Sequence, residues 1–139
     1  MRRAKCFGIN LARLDIRQES SRHKQLISEF VKTKYKKDYS NFAEKEKLNF
    51  LKKFITSKSN KIRNFQFKNK ENKEVWATFK ALSYEPSECL GAYVISMTST
   101  ASDILSVYFL QMQAQNKNLL RVVPLFETLD DLKNANSVM

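Results

Sequence analysis

Two side chains in this sequence have the type and placement to do chemistry together, Arg17 and Glu127. Arg17 directly follows the apolar-alternating "RLDI" and Glu127 follows the apolar run "VVPLF", so each stands at the end of a predicted strand. A guanidinium offers fixed, bidentate donors to phosphate or carboxylate oxygens. A glutamate offers a divalent cation one hard oxygen, with substrate and water supplying the rest. An anionic substrate held beside a metal is the chemistry such a pair would serve. The plainer reading is that the two pair with each other or with a helix end. For Glu127, in "VVPLFETLDDL", the choice is between capping the next helix and holding a metal, and position alone leaves both open. Ser96 and Met97 follow a third apolar run, "AYVI", in the same kind of place.

Other candidates are weaker. His23 follows Arg22 at a helix start, where spacing favours a surface or helix-face histidine over a catalytic one. Asp130 and Asp131 fall in the first turn of a helix, where the dipole favours acids. No Gly-rich phosphate loop, nucleophile elbow or metal-spaced His/Cys cluster is present.

The elements that must position these residues follow from periodicity. Residues 9–16, "INLARLDI", alternate as a strand. From about Ser20 the spacing turns helical, with Leu26, Ile27, Phe30 and Val31 on one face. Asn41 and Glu44 suggest a capping box before a second helix through Leu48, Leu51, Phe54 and Ile55. Residues 57–69 read as an exposed loop. "ENKEVWATFKAL" is a third helix burying Val75, Trp76, Phe79 and Leu82. "AYVIS", residues 92–96, is the short continuous run of a strand covered on both faces. A helix with Ile104, Leu105, Tyr108 and Met112 as its core face follows. "LRVVPLF" is then a second such strand, one βαβ unit further on. "TLDDLKNANSVM" starts a last helix with no closing Gly or Pro, as if the chain were cut there. Strands alternating with helices predict an α/β fold, predominantly helical, with about three parallel strands. Three strands cannot close a barrel, so a section of a larger one is the expected architecture.

Composition narrows the function classes. In 139 residues there are only two glycines and two prolines, which disfavours an all-β fold. Cys6 and Cys89 fit no metal spacing or disulfide framework and read as reduced thiols. No export signal or membrane-length apolar run appears, so a soluble cytoplasmic protein is expected. The net charge of +11 invites a nucleic-acid reading, but the charge is uneven. Residues 1–80 hold 22 Lys/Arg against 8 Asp/Glu, and residues 81–139 hold 3 against 6. The basic half contains no nucleic-acid-reading module and reads equally as a solvated lysine face, so nucleic acid is the disfavoured partner.

Longer strings are more specific than any of these features. "RLDIRQESSRH" (13–23), "LGAYVISMTSTASDILSV" (90–107) and "VVPLFETLDDLKNA" (122–135) resemble phosphoenolpyruvate carboxylase, in that family's order and approximate spacing. "FGINLARLDIRQES" and "DYSNFAEKEKLNFL" fit as well, while residues 57–85 match weakly. The resemblance covers essentially the whole chain, read as one segment, 1–139, from the middle of the family's (β/α)8 TIM-type barrel and incomplete at both ends.

The resemblance implies a fold, an activity and site residues. The family is a cytoplasmic homotetramer that joins phosphoenolpyruvate and bicarbonate with Mg²⁺ or Mn²⁺, giving oxaloacetate and phosphate and so replenishing the tricarboxylic acid cycle. Arg17 of "LDIRQES" resembles the arginine that grips phosphoenolpyruvate. Glu127 of "LFETLDDL" resembles one of two metal-binding carboxylates, which answers the capping question in favour of the metal. Leu125 resembles part of the apolar pocket that shelters CO₂. The family's catalytic histidine belongs to another motif, which His23 does not match, and the second metal carboxylate is missing. The chain by itself is therefore expected to be inactive, and to aggregate or stay partly molten. The alternatives are a non-catalytic interaction module pairing through exposed strand edges and a basic nucleic-acid binder.

Overall fold

The computed structural model describes residues 12–56 and 62–139. Its elements are β1 (Leu14–Glu19), α1 (Ser20–Tyr35), α2 (Glu44–Thr56), α3 (Lys70–Leu82), β2 (Leu90–Ser96), α4 (Ala101–Gln113), β3 (Arg121–Pro124) and α5 (Leu129–Val138). Short 3₁₀ turns at Tyr39–Asn41 and Ser87–Cys89 precede α2 and β2. The three strands form one parallel sheet in the order β1-β2-β3, the α/β arrangement expected from the alternation of patterns.

Register sorts the side chains of the sheet onto two faces. Ile16, Tyr93 and Val122 are aligned across the three strands, and Tyr93 and Val122 are buried with Ile16 packed against the core. The next row, Arg17, Val94 and Val123, projects to the opposite side because successive strand residues alternate. The helices cover the first face. Leu26, Ile27, Phe30 and Val31 of α1 meet Leu51 and Phe54 of α2, Val75, Trp76 and Phe79 of α3, and Val107, Phe109 and Leu110 of α4 in one apolar cluster. Each fully buried side chain of this size contributes about 1.5–3 kcal/mol, which is what fastens the helices to the sheet. The second face keeps Arg17 exposed and Val94 and Val123 half-buried.

A bulge between Leu14 and Ile16 shifts the register of β1 on β2. Inside it the Asp15 carboxylate turns onto β2 and accepts a hydrogen bond from the Ala92 N–H at 2.7 Å. Gly91 makes room for this, since a Cβ there would collide with the Asp15 carboxylate. The carboxylate stands in for a missing ladder partner.

Several expectations need correction. Strand β1 runs to Glu19, so Arg17 lies within it instead of after it; residues 9–11 lie outside the described residues. Alternation after Ile16 is masked by the polar string "RQE", which is strand because β2 pairs with it. The second helix begins at Glu44, with Asn41 in the 3₁₀ turn, and its cap comes from Glu46, which accepts from the Ala43 N–H at 2.8 Å. Of the loop 57–69, residues 57–61 lie outside the described residues, while Ile62 and Phe67 are buried. On α4, Ile104, Leu105, Tyr108 and Met112 are only half-buried. The innermost positions include Asp103, Ser106, Val107, Leu110 and Gln111. Polar residues hold those places because each has a backbone or side-chain partner close by, which hydropathy cannot register. Ser106 Oγ donates to the Ser102 carbonyl, and the Gln111 amide pairs with both backbone groups of Leu120.

Candidate functional site

The parallel sheet brings the C-terminal ends of β1, β2 and β3 to one edge, and the sequence candidates Arg17, Ser96, Met97, Leu125 and Glu127 belong to it. Strands β1 and β3 flank β2, so their ends stand about 10 Å apart, two interstrand spacings. The Arg17 and Glu127 side chains bridge that gap. Arg17 Nη2 donates to Glu127 Oε1 at 3.0 Å, joining residues 110 positions apart, with side-chain exposures of 63% and 51%. Both groups stay open to solvent on their remaining sides.

The backbone around Glu127 decides the capping question raised by its position. Helix α5 is capped by Thr128 and Asp131: Thr128 Oγ1 accepts from the Asp131 N–H at 3.1 Å, and Asp131 Oδ2 accepts from the N–H groups of Thr128 and Glu127 at 2.9 and 3.1 Å. The Thr128 side chain, followed by the Thr128 and Glu127 backbone N–H groups, holds the Asp131 carboxyl below the ordinary carboxylate range. Glu127 thus contributes its backbone to the cap and leaves its carboxylate for other work. Leu125, half-buried two residues earlier, extends the pairing of β3 by donating to the Ile95 carbonyl at 2.8 Å.

Between these two ends, β2 runs into a tightly held turn. Met97 has a left-handed backbone, φ 54°, and a side chain that is largely exposed. Among the described non-glycine residues the others of positive φ, Lys36 and Gln115, follow the ends of α1 and α4, where this conformation closes a helix. At Met97 the backbone is fixed from its flank, as Ser20 Oγ donates to its carbonyl at 2.6 Å. Thr98 Oγ1 donates to the Ile95 carbonyl at 3.1 Å. Asp103, fully buried, accepts from Ser99 N–H and Thr100 N–H at 3.0 and 3.1 Å and pairs with Lys24 Nζ at 2.9 Å. Glu44 accepts from both the N–H and the hydroxyl of Ser102, each at 2.8 Å. Sequence reasoning passed over this network, although Thr100 and Asp103 stand at capping-box spacing.

His23 lies away from the edge, within the helix layer. The expectation of a surface or helix-face histidine holds only for the helix face, because the side chain is completely buried. Its ring packs against the stacked pair Phe79 and Tyr93, at centroid distances of 5.9 and 5.6 Å, and Nε2 lies 2.9 Å from the Tyr93 hydroxyl. Burial lowers its pKa to about 4, against a smaller opposing pull from Asp103, so the imidazole is neutral near pH 7. The signal was there in the spacing: 23, 26, 27, 30 and 31 form one helical stripe.

As a metal site the edge is partial. Glu127 offers one hard, solvent-accessible oxygen set, which suits a divalent cation, but Mg²⁺ wants several well-placed oxygens. Among the described residues no group of three or more His, Cys, Asp or Glu could hold a metal ion. The donors present fit one ligand position and no more. Nor is any helix among the described residues long and apolar enough to cross a membrane.

Comparison with known proteins agrees with the strings that flank Arg17 and Glu127. The family model described as phosphoenolpyruvate carboxylase matches residues 1–139. The chain is 45% identical over its whole length to a phosphoenolpyruvate carboxylase of Vibrio parahaemolyticus, 43% to one of an Enterobacter species and 42% to one of Edwardsiella ictaluri. It spans 16% of the length of each of these relatives. With the family model matching from end to end, the chain belongs to the phosphoenolpyruvate carboxylase family.

Proposed function

We propose that this chain is a barrel segment of a phosphoenolpyruvate carboxylase, the one that supplies an anion-gripping arginine and a first metal-binding carboxylate. The observation that carries this reading is the meeting of Arg17 and Glu127 at 3.0 Å on the C-terminal edge of a parallel sheet. In barrels of alternating strands and helices that edge is where chemistry collects. Among the described residues the parallel sheet has three strands and no partner at either edge, which supports its being a section of a larger (β/α)8 barrel.

In this reading the full enzyme converts phosphoenolpyruvate and bicarbonate to oxaloacetate and phosphate in the cytoplasm, as a homotetramer. A bicarbonate oxygen attacks phosphorus and the bond from phosphorus to the enol oxygen breaks, leaving carboxyphosphate and the enolate of pyruvate. Carboxyphosphate then parts into CO₂ and phosphate, and the enolate carbon bonds to CO₂. Arg17 holds substrate oxygens through its planar fork and offsets negative charge as the enolate forms. Glu127 holds the Mg²⁺ or Mn²⁺ that supplies Lewis-acid stabilisation of that charge when bound, beside a second carboxylate from outside this chain. Leu125 provides apolar surface near the point of CO₂ capture. The 139-residue chain alone has no carboxylase activity in this reading, since it holds one metal ligand and not the family's catalytic histidine.

The test is made in the native-length protein. Arg17→Met and Glu127→Ala should each lower oxaloacetate formation by about 10²-fold or more, the scale on which preorganised charge stabilisation acts. Rates equal to the unaltered protein in both variants would overturn the assignment. Oxaloacetate formation by the purified 139-residue chain would overturn the prediction that it is inactive.

A further inference from the structure

The Arg17–Glu127 contact has a consequence for how the two proposed ligands arrive. Glu127 Oε1 is already satisfied by a guanidinium at 3.0 Å, and that guanidinium donates to a carboxylate where an anion would bind. A cation approaching Glu127 meets a fixed positive charge on the oxygen it needs. An anion approaching Arg17 meets a fixed negative charge in the same way. Among the described residues neither side chain has a competing ion partner: the neighbouring acids Asp130 and Asp131 are engaged with Lys133 and with the α5 cap. With exposures of 63% and 51%, both heads have room to turn away from each other without exposing buried charge.

We propose that the Arg17–Glu127 ion pair couples the two binding events. Either ligand, on binding, must separate the pair, and the other then finds its side chain already released. Cation and anion therefore bind with positive cooperativity through this chain's own residues, apart from any contact they make with each other. By linkage the coupling is reciprocal, equal in size from either side. Its size is bounded by the strength of the pair. A half-exposed ion pair of this kind supports roughly a two- to fivefold change in affinity. The inference rests on the ligand roles proposed for Arg17 and Glu127 and adds the link between them.

Each ligand is tested alone, in the native-length protein, so that direct contact between ligands cannot contribute. Mn²⁺ is titrated without added anion and followed by the electron paramagnetic resonance signal of the free ion. Inorganic phosphate is titrated by calorimetry in the presence of a chelator. Arg17→Met should tighten Mn²⁺ roughly two- to fivefold, and Glu127→Gln should tighten phosphate by a similar factor. Arg17→Lys keeps the charge on a shorter, unforked head and should fall between the unaltered protein and Arg17→Met. Asp130→Asn removes the same charge from the start of α5 without touching Arg17, and should leave phosphate affinity unchanged.

Unchanged Mn²⁺ affinity in Arg17→Met together with unchanged phosphate affinity in Glu127→Gln would overturn the coupling, as would an Asp130→Asn effect on phosphate equal to that of Glu127→Gln. A failure of the ligand roles themselves looks different. Glu127→Gln would then bind Mn²⁺, and Arg17→Met would bind phosphate, as well as the unaltered protein does.

Discussion

Two ion pairs of nearly equal length lie on either side of the turn after β2, and they do opposite work. Lys24–Asp103 closes at 2.9 Å with the Asp103 side chain wholly buried and Lys24 at 36% exposure. Arg17–Glu127 closes at 3.0 Å with both side chains more than half exposed. Distance does not distinguish them; their other partners do. Asp103 also holds two backbone N–H groups of the turn, so the pair is part of how the chain folds. Among the described residues the Arg17 and Glu127 side chains hold only each other. A charge with several buried partners stiffens a fold, while a charge with one exposed partner is available for exchange with a ligand.

The most severe way to break this contrast is at its buried member. Asp103→Ala should cost about 3–5 kcal/mol, since it strands Lys24 and two backbone donors at once. Chemical denaturation would measure it, and a loss below about 1 kcal/mol would make the two pairs equivalent. Acid probes the same dry face through His23. Its pKa is lowered from 6.5 to about 4 by burial, so the unfolded chain binds the extra proton between those values. Stability is therefore complete above pH 6.5 and falls as the pH drops toward 4, by up to about 3 kcal/mol. His23→Gln keeps a partner for the Tyr93 hydroxyl and should flatten that part of the stability profile. An unchanged slope between pH 6.5 and 4 would show that His23 does not set it. The smallest effect is expected at the exposed pair, where Arg17→Met or Glu127→Gln should change unfolding stability by less than about 1 kcal/mol. A cost comparable to Asp103→Ala would mean that Arg17 and Glu127 build the fold as well.

The helix-covered half of this architecture was legible in the sequence because its signals are local. The stripes Leu26–Ile27–Phe30–Val31 and Val75–Trp76–Phe79–Leu82 bury as their spacing says, and "AYVIS" and "LRVVPLF" do fall on β2 and β3. Arg17 and Glu127 were legible as single residues from the strings around them. That they pair with each other was one of the two plainer readings, and it is the one the structure shows; the sequence could not select it over a helix end, because the contact spans 110 residues and depends on strand order. Three of the misses share one cause. His23, Asp103 and Gln111 are polar and fully interior, each made tolerable by a partner that hydropathy does not see: the Tyr93 hydroxyl, the Lys24 ammonium and turn backbone, and the Leu120 backbone.

The Gln111 amide also bears on how β3 is positioned. It accepts from Leu120 N–H at 2.6 Å and donates to the Leu120 carbonyl at 3.2 Å, closing a loop of only nine residues. Closing so short a loop costs about 1 kcal/mol less chain entropy than bringing β3 to β2, whose paired residues lie about thirty positions apart. The start of β3 is thus indexed to the end of α4 by side chain as well as by strand pairing. Seven residues after Leu120 stands Glu127, so the position of that carboxylate rests on a short-range contact to α4 as well as on the long-range pairing of β3 with β2.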